Sequence, residues 1–216
     1  MGRTKLSPRR LVEFEKEYLG KILIFCEGKT EKNYFDYFVE IIKNNKYTDI
    51  KVEIQNVHGN SQTVYNYAEH FLSKEENNRK YMNYKKYLVF DCDDPPNIQS
   101  VILKILSSDT DYTLLVSNYF FEIWLLMYFE KVKFELRKNE ISQKLNNHLS
   151  TNYKKGAKGI IREIILKGNV EKAIENAETL AKKYKSEGKT LSLNITEMNP
   201  YTNVHTLVKQ LMMEIS

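Results

Sequence analysis

The sequence predicts an α/β fold, with a mainly parallel central sheet flanked by helices and a helical elaboration towards the C terminus. Two observations carry that expectation. Between residues 21 and 129, short β-type apolar runs alternate four times with amphipathic stretches of helical period, and strands separated by helices pair in parallel through crossover connections. Beyond Glu130 such runs give way to charged text in which apolar residues recur at helical spacing. The expected division is a core over residues 1–130, a helical insertion or subdomain over 131–198, and a last helix over 199–216 that packs back on the core.

The first run, Lys21-Ile22-Leu23-Ile24-Phe25-Cys26, ends abruptly at Glu27-Gly28. A helix should follow, capped by Thr30, with Tyr34, Phe35, Phe38, Ile41 and Ile42 on one apolar face. The second run, Val52 to Val57, stops at His58-Gly59-Asn60, and Ser61 opens a stretch carrying Val64, Ala68, Phe71 and Leu72. A polar connector then leads to Tyr87-Leu88-Val89-Phe90 and into Asp91-Cys92-Asp93-Asp94. Pro95-Pro96 halts the strand, because proline lacks the N–H that a ladder needs, and Asp94 reads as the turn residue before it. Ile98, Val101, Ile102 and Ile105 mark the next helix, Tyr112 to Val116 the fourth strand, and Phe120 to Phe129 a largely buried aromatic helix. In the C-terminal third a flexible basic patch, Tyr153-Lys154-Lys155-Gly156-Ala157-Lys158-Gly159, separates two polar amphipathic segments. Val170, Ala173, Ile174, Ala177, Leu180, Ala181 and Tyr184 form a helical stripe, and Asn199-Pro200 precedes a last helix with Val204, Leu207, Val208 and Leu211.

Composition narrows the function classes. Hydrophobic residues at 42% and charged residues at 28% suit a packed globular core and argue against extensive disorder. No apolar run approaches the roughly 18 residues of a membrane span, and the basic first ten residues lead into an acidic, aromatic segment instead of a signal-peptide core, so a cytoplasmic protein without membrane contact is expected. Cys26 and Cys92 sit inside apolar runs, where free cysteine acts as a small buried hydrophobe; two cysteines make neither a zinc set nor a persuasive disulfide. The 33 basic and 28 acidic residues leave a formal charge of +5, compatible with a polyanionic partner without identifying one.

The chemistry concentrates at strand ends. In an open parallel sheet the carboxyl ends of the strands share one crevice, which would gather Glu27 with Asp91 and Asp93. Alternation along a strand sends Asp91 and Asp93 to one side and Cys92 to the other, so that two carboxylates can face one cation. Neighbouring carboxylates repel unless a proton or metal intervenes, and Mg²⁺ favours a few carboxylates with water and phosphate oxygens. Against this stands the plainer reading that acidic residues after strands cap the following helices.

These residues also carry a resemblance. A glutamate after one strand and Asp-x-Asp after a later one looks like the Toprim pattern. Cys26-Glu27-Gly28-Lys29-Thr30-Glu31 with Tyr34-Phe35, Phe90-Asp91-Cys92-Asp93-Asp94, Ser117-Asn118 with Phe121-Glu122-Ile123-Trp124-Leu125-Leu126, and Asn199-Pro200 with Thr202, Val204-His205 and Leu207-Val208 resemble the RloB-like family. That resemblance implies a Toprim-like nuclease cleaving DNA or tRNA or other RNA with Mg²⁺ or Mn²⁺, in bacterial defence against phage, controlled by a partner ATPase of the ABC or OLD type. It implies that Asp91 and Asp93 hold the metal and that Glu27 acts as a ligand or as general acid or base. The chain departs from the family at Tyr119-Phe120, where proline and a small residue are usual. It has no Walker sequence of its own.

Several further residues have two readings each. Glu31 joins the site or pairs with a helix dipole; Asn118 and Glu122 reach the same crevice or cap their own helix; His205 contacts phosphate or caps the last helix. Nucleic-acid contacts should come from Lys29, from Lys154, Lys155 and Lys158, and from Arg3, Lys5, Arg9 and Arg10. Most of the 15 tyrosines should pack the core instead of stacking on bases. Two alternatives stay open: nucleotidyl or primer synthesis on the same chemistry, and a non-catalytic nucleic-acid or partner-binding subunit that docks through its aromatic helix. Assembly into a homo-oligomer is compatible with the sequence and not specified by it.

Overall fold

The computed structural model describes residues 19–44, 50–93 and 95–215. Asp94 and the basic residues Arg3, Lys5, Arg9 and Arg10 lie outside them. Five strands form one sheet in the order β2-β1-β3-β4-β5: β1 (Lys21–Cys26), β2 (Lys51–Asn56), β3 (Lys85–Asp91), β4 (Tyr112–Asn118) and β5 (Tyr201–Thr202). The first four are parallel and β5 is antiparallel to β4. The strands arise where expected, because their Val, Ile, Leu and Phe side chains are buried on both faces by covering helices.

Helix α1 (Lys29–Asn44) connects β1 to β2. Helices α2 (Ser61–Ser73) and α3 (Glu75–Tyr81) lead from β2 to β3, and α4 (Pro95–Leu106) leads from β3 to β4. The chain moves one way from β1 to β2 and the other way from β2 to β3 and from β3 to β4. Right-handed crossovers then put α1 on one face and α2 with α4 on the other. The direction of winding therefore reverses between β1 and β3, whose carboxyl ends carry Glu27 and Asp91. In open α/β sheets that reversal opens the ligand crevice.

Beyond β4 come α5 (Glu122–Leu126), α6 (Lys138–Asn146), α7 (Lys158–Lys167), α8 (Val170–Ser186), α9 (Leu191–Asn194) and, after β5, α10 (His205–Ile215). These helices share the core of the sheet: α7 packs on α1, α8 on α5, β5 and α10, and α9 on α4. Their apolar residues, among them Ile141, Leu145, Ile161, Ile164, Ala173 and Ala177, belong to the same buried cluster as β1 and β3. No described helix is long and apolar enough to cross a membrane.

Local differences from the sequence reading have physical causes. The polar connector after α2 contains α3, because Glu75 opens it and Arg79 pairs with Glu75 one turn on, a spacing that supports even a short exposed helix. The aromatic segment is helical only over Glu122–Leu126. The two-residue β5 escapes pattern reading altogether, since its hydrogen bonds to β4 depend on long-range packing. Thr30 does not cap α1; the helix begins at Lys29, and the Thr30 hydroxyl accepts a hydrogen bond from the Gly156 N–H at 3.0 Å.

Candidate active site

Register places the acidic residues. The parallel ladder pairs Cys26 with Val89 and continues one step as Glu27 N–H donates to the Val89 carbonyl at 3.0 Å. The Glu27 carboxylate therefore reaches the next strand end, where its Oε2 accepts from the Asp91 N–H at 3.0 Å. Asp91, the last residue of β3, is 2% exposed. Strand alternation does not extend to Asp93: β3 stops at Asp91, Cys92 is buried and Asp93 is exposed. Both cysteines are free and buried, and burial holds their thiols well above the usual range, so they behave as small hydrophobes.

Two glutamates join these residues. Glu31, in the first turn of α1, is 1% exposed, and Glu122, the first residue of α5, is 3% exposed. Their positions follow from the packing of α1 against the aromatic segment. Tyr34 meets Phe121, Trp124 and Tyr128 edge-on with ring centroids 5.5, 6.2 and 6.3 Å away, and the Tyr34 and Tyr128 hydroxyls hydrogen-bond at 2.6 Å. With Phe121, Trp124 and Tyr128 at 1%, 0% and 1% exposure, these rings belong to the core. Gly28 matters for access, since a Cβ there would lie 3.0 Å from Glu31 Oε2.

The loop between α6 and α7 closes over this crevice. The Tyr153 hydroxyl donates to Glu122 Oε1 at 2.8 Å, and the Lys155 ammonium lies 4.0 Å from Asp91 Oδ2. Gly156 anchors the loop to α1 by its N–H on Thr30 and by its carbonyl, which accepts from Asn33 Nδ2 at 2.9 Å. Gly156 has φ +71° and packs so near Lys29 that a Cβ would come within 3.0 Å of the lysine Cβ, which explains the glycine. The patch that reads as flexible in sequence is tied down at four points.

The electrostatics are those of crowded carboxylates. Burial raises Glu27 to about 7, opposed by its bond from the Asp91 N–H and reinforced by Glu31 and Asp93. Burial, then Glu31, Glu27 and Glu122, push Asp91 well above the ordinary carboxylate range. Burial also raises Glu31, although the N–H groups of Glu31 itself and of Gly28 favour its charged form. Glu31 therefore serves the start of α1 and faces the crevice as well. Burial alone would depress Lys155, yet Glu122, Asp91, Glu31 and Glu27 outweigh it and raise its pKa.

The remaining expected residues separate. Asn118 is fully buried, and its amide donates to the carbonyls of Ile195 and Met198 at 2.6 and 3.0 Å; it neither caps α5 nor turns its N–H groups to the carboxylates. His205, at the start of α10, interacts with Thr202, Glu178 and Lys209. Lys158 pairs with Glu40 at 2.5 Å, while Lys29 and Lys154 are exposed. A cleft of about 520 Å³ opens at the amino ends of β3 and β4, lined by Tyr84, Lys85, Lys86 and Asp111 among others; it gathers a single carboxylate and lacks the acidic cluster found at the carboxyl ends of the strands.

The residues present suit a cation. Asp91 Oδ1 and Oδ2, Glu31 Oε2 and Glu122 Oε2 are buried without a hydrogen-bond partner among the described residues, and a buried carboxylate without a partner is costly until a proton or cation meets it. Among the described residues, no three acidic, histidine or cysteine side chains converge closely enough in this conformation to cage an ion. The carboxylates instead face Lys155.

Fold and crevice together define a doubly wound α/β protein with a carboxylate site at its winding reversal. The chain belongs to the RloB-like protein family, whose model matches residues 22–211, a span that includes every acidic residue of the crevice and the loop above it. No curated protein and no solved structure matches the chain significantly.

Proposed function

We propose that the protein is a divalent-metal-dependent nuclease of Toprim-like chemistry that hydrolyses phosphodiester bonds in DNA, tRNA or other RNA. One observation carries the reading: Asp91 is buried at the winding reversal with both carboxylate oxygens unbonded, beside Glu27 and within the field of Glu31 and Glu122. Evolution has little structural reason to bury such a group, whereas a site that accepts a metal has every reason. Asp91 and Glu27 would hold Mg²⁺ or Mn²⁺, with Asp93 joining from the rim. When bound, such an ion supplies Lewis-acid polarisation of a phosphoryl oxygen and a water of lowered pKa.

If Glu27 instead stays off the ion, its carboxyl, raised by burial to about 7, can hold or release a proton near neutrality, as a general acid or base requires; the two roles are alternatives, since a bound cation would hold it ionised. Lys29, Lys154 and the N-terminal basic residues would meet the phosphates that the carboxylates repel. Family membership supports a role in defence against phage under an ABC- or OLD-type ATPase partner. The alternative of a non-catalytic binding subunit has less support, because Phe121, Trp124 and Tyr128 of the aromatic segment are buried and the buried carboxylates would have no role in it.

The test is cleavage of labelled plasmid, single-stranded DNA and total tRNA by wild type and Asp91→Ala, with Mg²⁺, Mn²⁺ or chelator, alone and with the proposed ABC- or OLD-type ATPase partner. Metal-dependent cutting that Asp91→Ala abolishes is the expected result. Silence on every substrate in the complete complex would refute the nuclease reading.

A further inference from the structure

Resting on that nuclease reading, we infer that the loop from Tyr153 to Gly156 is an autoinhibitory strap, with Lys155 the tethered cation that occupies the acidic crevice until a divalent metal displaces it. The geometry is specific to that role. Lys155 is the cation that opposes the charge of Glu27, Glu31 and Asp91 alike, and its ammonium stands 4.0 Å from Asp91 Oδ2, too far for a hydrogen bond and near enough for a strong field. The buried oxygens of Asp91, Glu31 and Glu122 that lack hydrogen bonds point to a ligand beyond the lysine.

One ammonium balances one of four carboxyl groups, whereas a divalent ion with its waters balances more and satisfies their lone pairs directly. Lysine and metal compete for these oxygens, because like charges at such range repel. The strap is also built to lift. The Lys155 side chain is 47% exposed, and Gly156 is held by two hydrogen bonds to the side chains of Thr30 and Asn33, so the Lys155–Gly156 end opens by breaking polar contacts while Tyr153 stays packed against the core as its hinge. Tyr153, bonded to Glu122, couples the strap to the carboxylate on α5.

Mn²⁺ affinity by isothermal titration, with hydrogen exchange at the Gly156 amide, tests this on the full chain. Lys155→Met should bind Mn²⁺ about tenfold or more tightly than wild type, having lost an opposing charge, and Mn²⁺ should accelerate exchange of the wild-type Gly156 amide. Lys155→Gln, which keeps a polar head, should reproduce the gain if charge is the cause. Equal or weaker Mn²⁺ binding by both variants, with the Gly156 amide unchanged, would overturn the strap and leave the metal site standing. Absence of Mn²⁺ binding in wild type and both variants would overturn the metal reading and the strap with it.

Discussion

Asp91 holds the tension on which the functional reading rests. A carboxyl group 2% exposed, without a hydrogen bond to either oxygen, must be neutralised by proton or cation, and burial beside Glu31, Glu27 and Glu122 makes the proton expensive to lose. Asp91→Asn should therefore raise the melting temperature of the metal-free protein, by about 2–4 °C for each kcal/mol relieved, while abolishing the stabilisation that Mn²⁺ gives wild type. Calorimetric scans with chelator and with Mn²⁺ check both halves; a lower midpoint for Asp91→Asn in chelator would mean that the carboxyl is structurally satisfied. Glu27 and Asp91 were legible in sequence because each directly ends an apolar strand. Asp93 was legible only as spacing, and the end of β3 at Asp91 removes the alternation that would have paired them. Glu31 and Glu122 were ambiguous, since a glutamate in a first helical turn serves the helix equally well, and only the packing of Tyr34 on Trp124 decides that both face inward.

At the scale of elements, the four parallel strands and the main helices follow from periodicity, whereas β5 and the strap depend on contacts between residues far apart in sequence. Asn118 shows how those contacts are held. Its amide satisfies two carbonyls after α9, so Asn118→Ala should cost about 2–4 kcal/mol in urea unfolding, two buried hydrogen bonds being lost and two acceptors stranded; a loss below 1 kcal/mol would show that water replaces it. His205 gives α10 a pH response. Burial depresses its pKa below 6.5, with Glu178 on α8 and its bond to Thr202 opposing the shift and Lys209 on its own helix reinforcing it, and a cation at a helix N-terminus is unfavourable as well. A base depressed in the folded state lends stability that is present above the unfolded value and is lost as pH falls below about 6.5. His205→Gln should therefore flatten the fall in stability between pH 7.5 and 5.5, measured by urea unfolding at each pH; an unchanged slope would assign that fall to other groups.

The described residues share one buried cluster, which the C-terminal helices complete. The sequence marks residue 131 as a change of texture, which it is, but charged surface text conceals how Ile161 and Ile164 pack against α1 and how α8 reaches α5. A chain ending at Glu130 would expose those faces of α1 and α5, and it should fail to unfold cooperatively, whereas the full chain should melt in one transition by circular dichroism and fluorescence alike. A cooperative melt of the shortened chain would make the helical third a separate domain. The same packing lets the C-terminal third deliver Tyr153 and Lys155 to carboxylates contributed by the N-terminal half, so that crevice and strap exist only in the complete fold.

The most direct measurement is the anomalous scattering of Mn²⁺ in crystals of the wild-type protein and of Asp91→Asn. The expected result is a peak about 2.1–2.2 Å from an Asp91 oxygen, reached also by Glu27, in wild type and missing from the variant. Mn²⁺ bound only elsewhere, with the Asp91 carboxylate still facing Lys155 at saturating metal, would contradict the central claim that this crevice is a divalent-cation site.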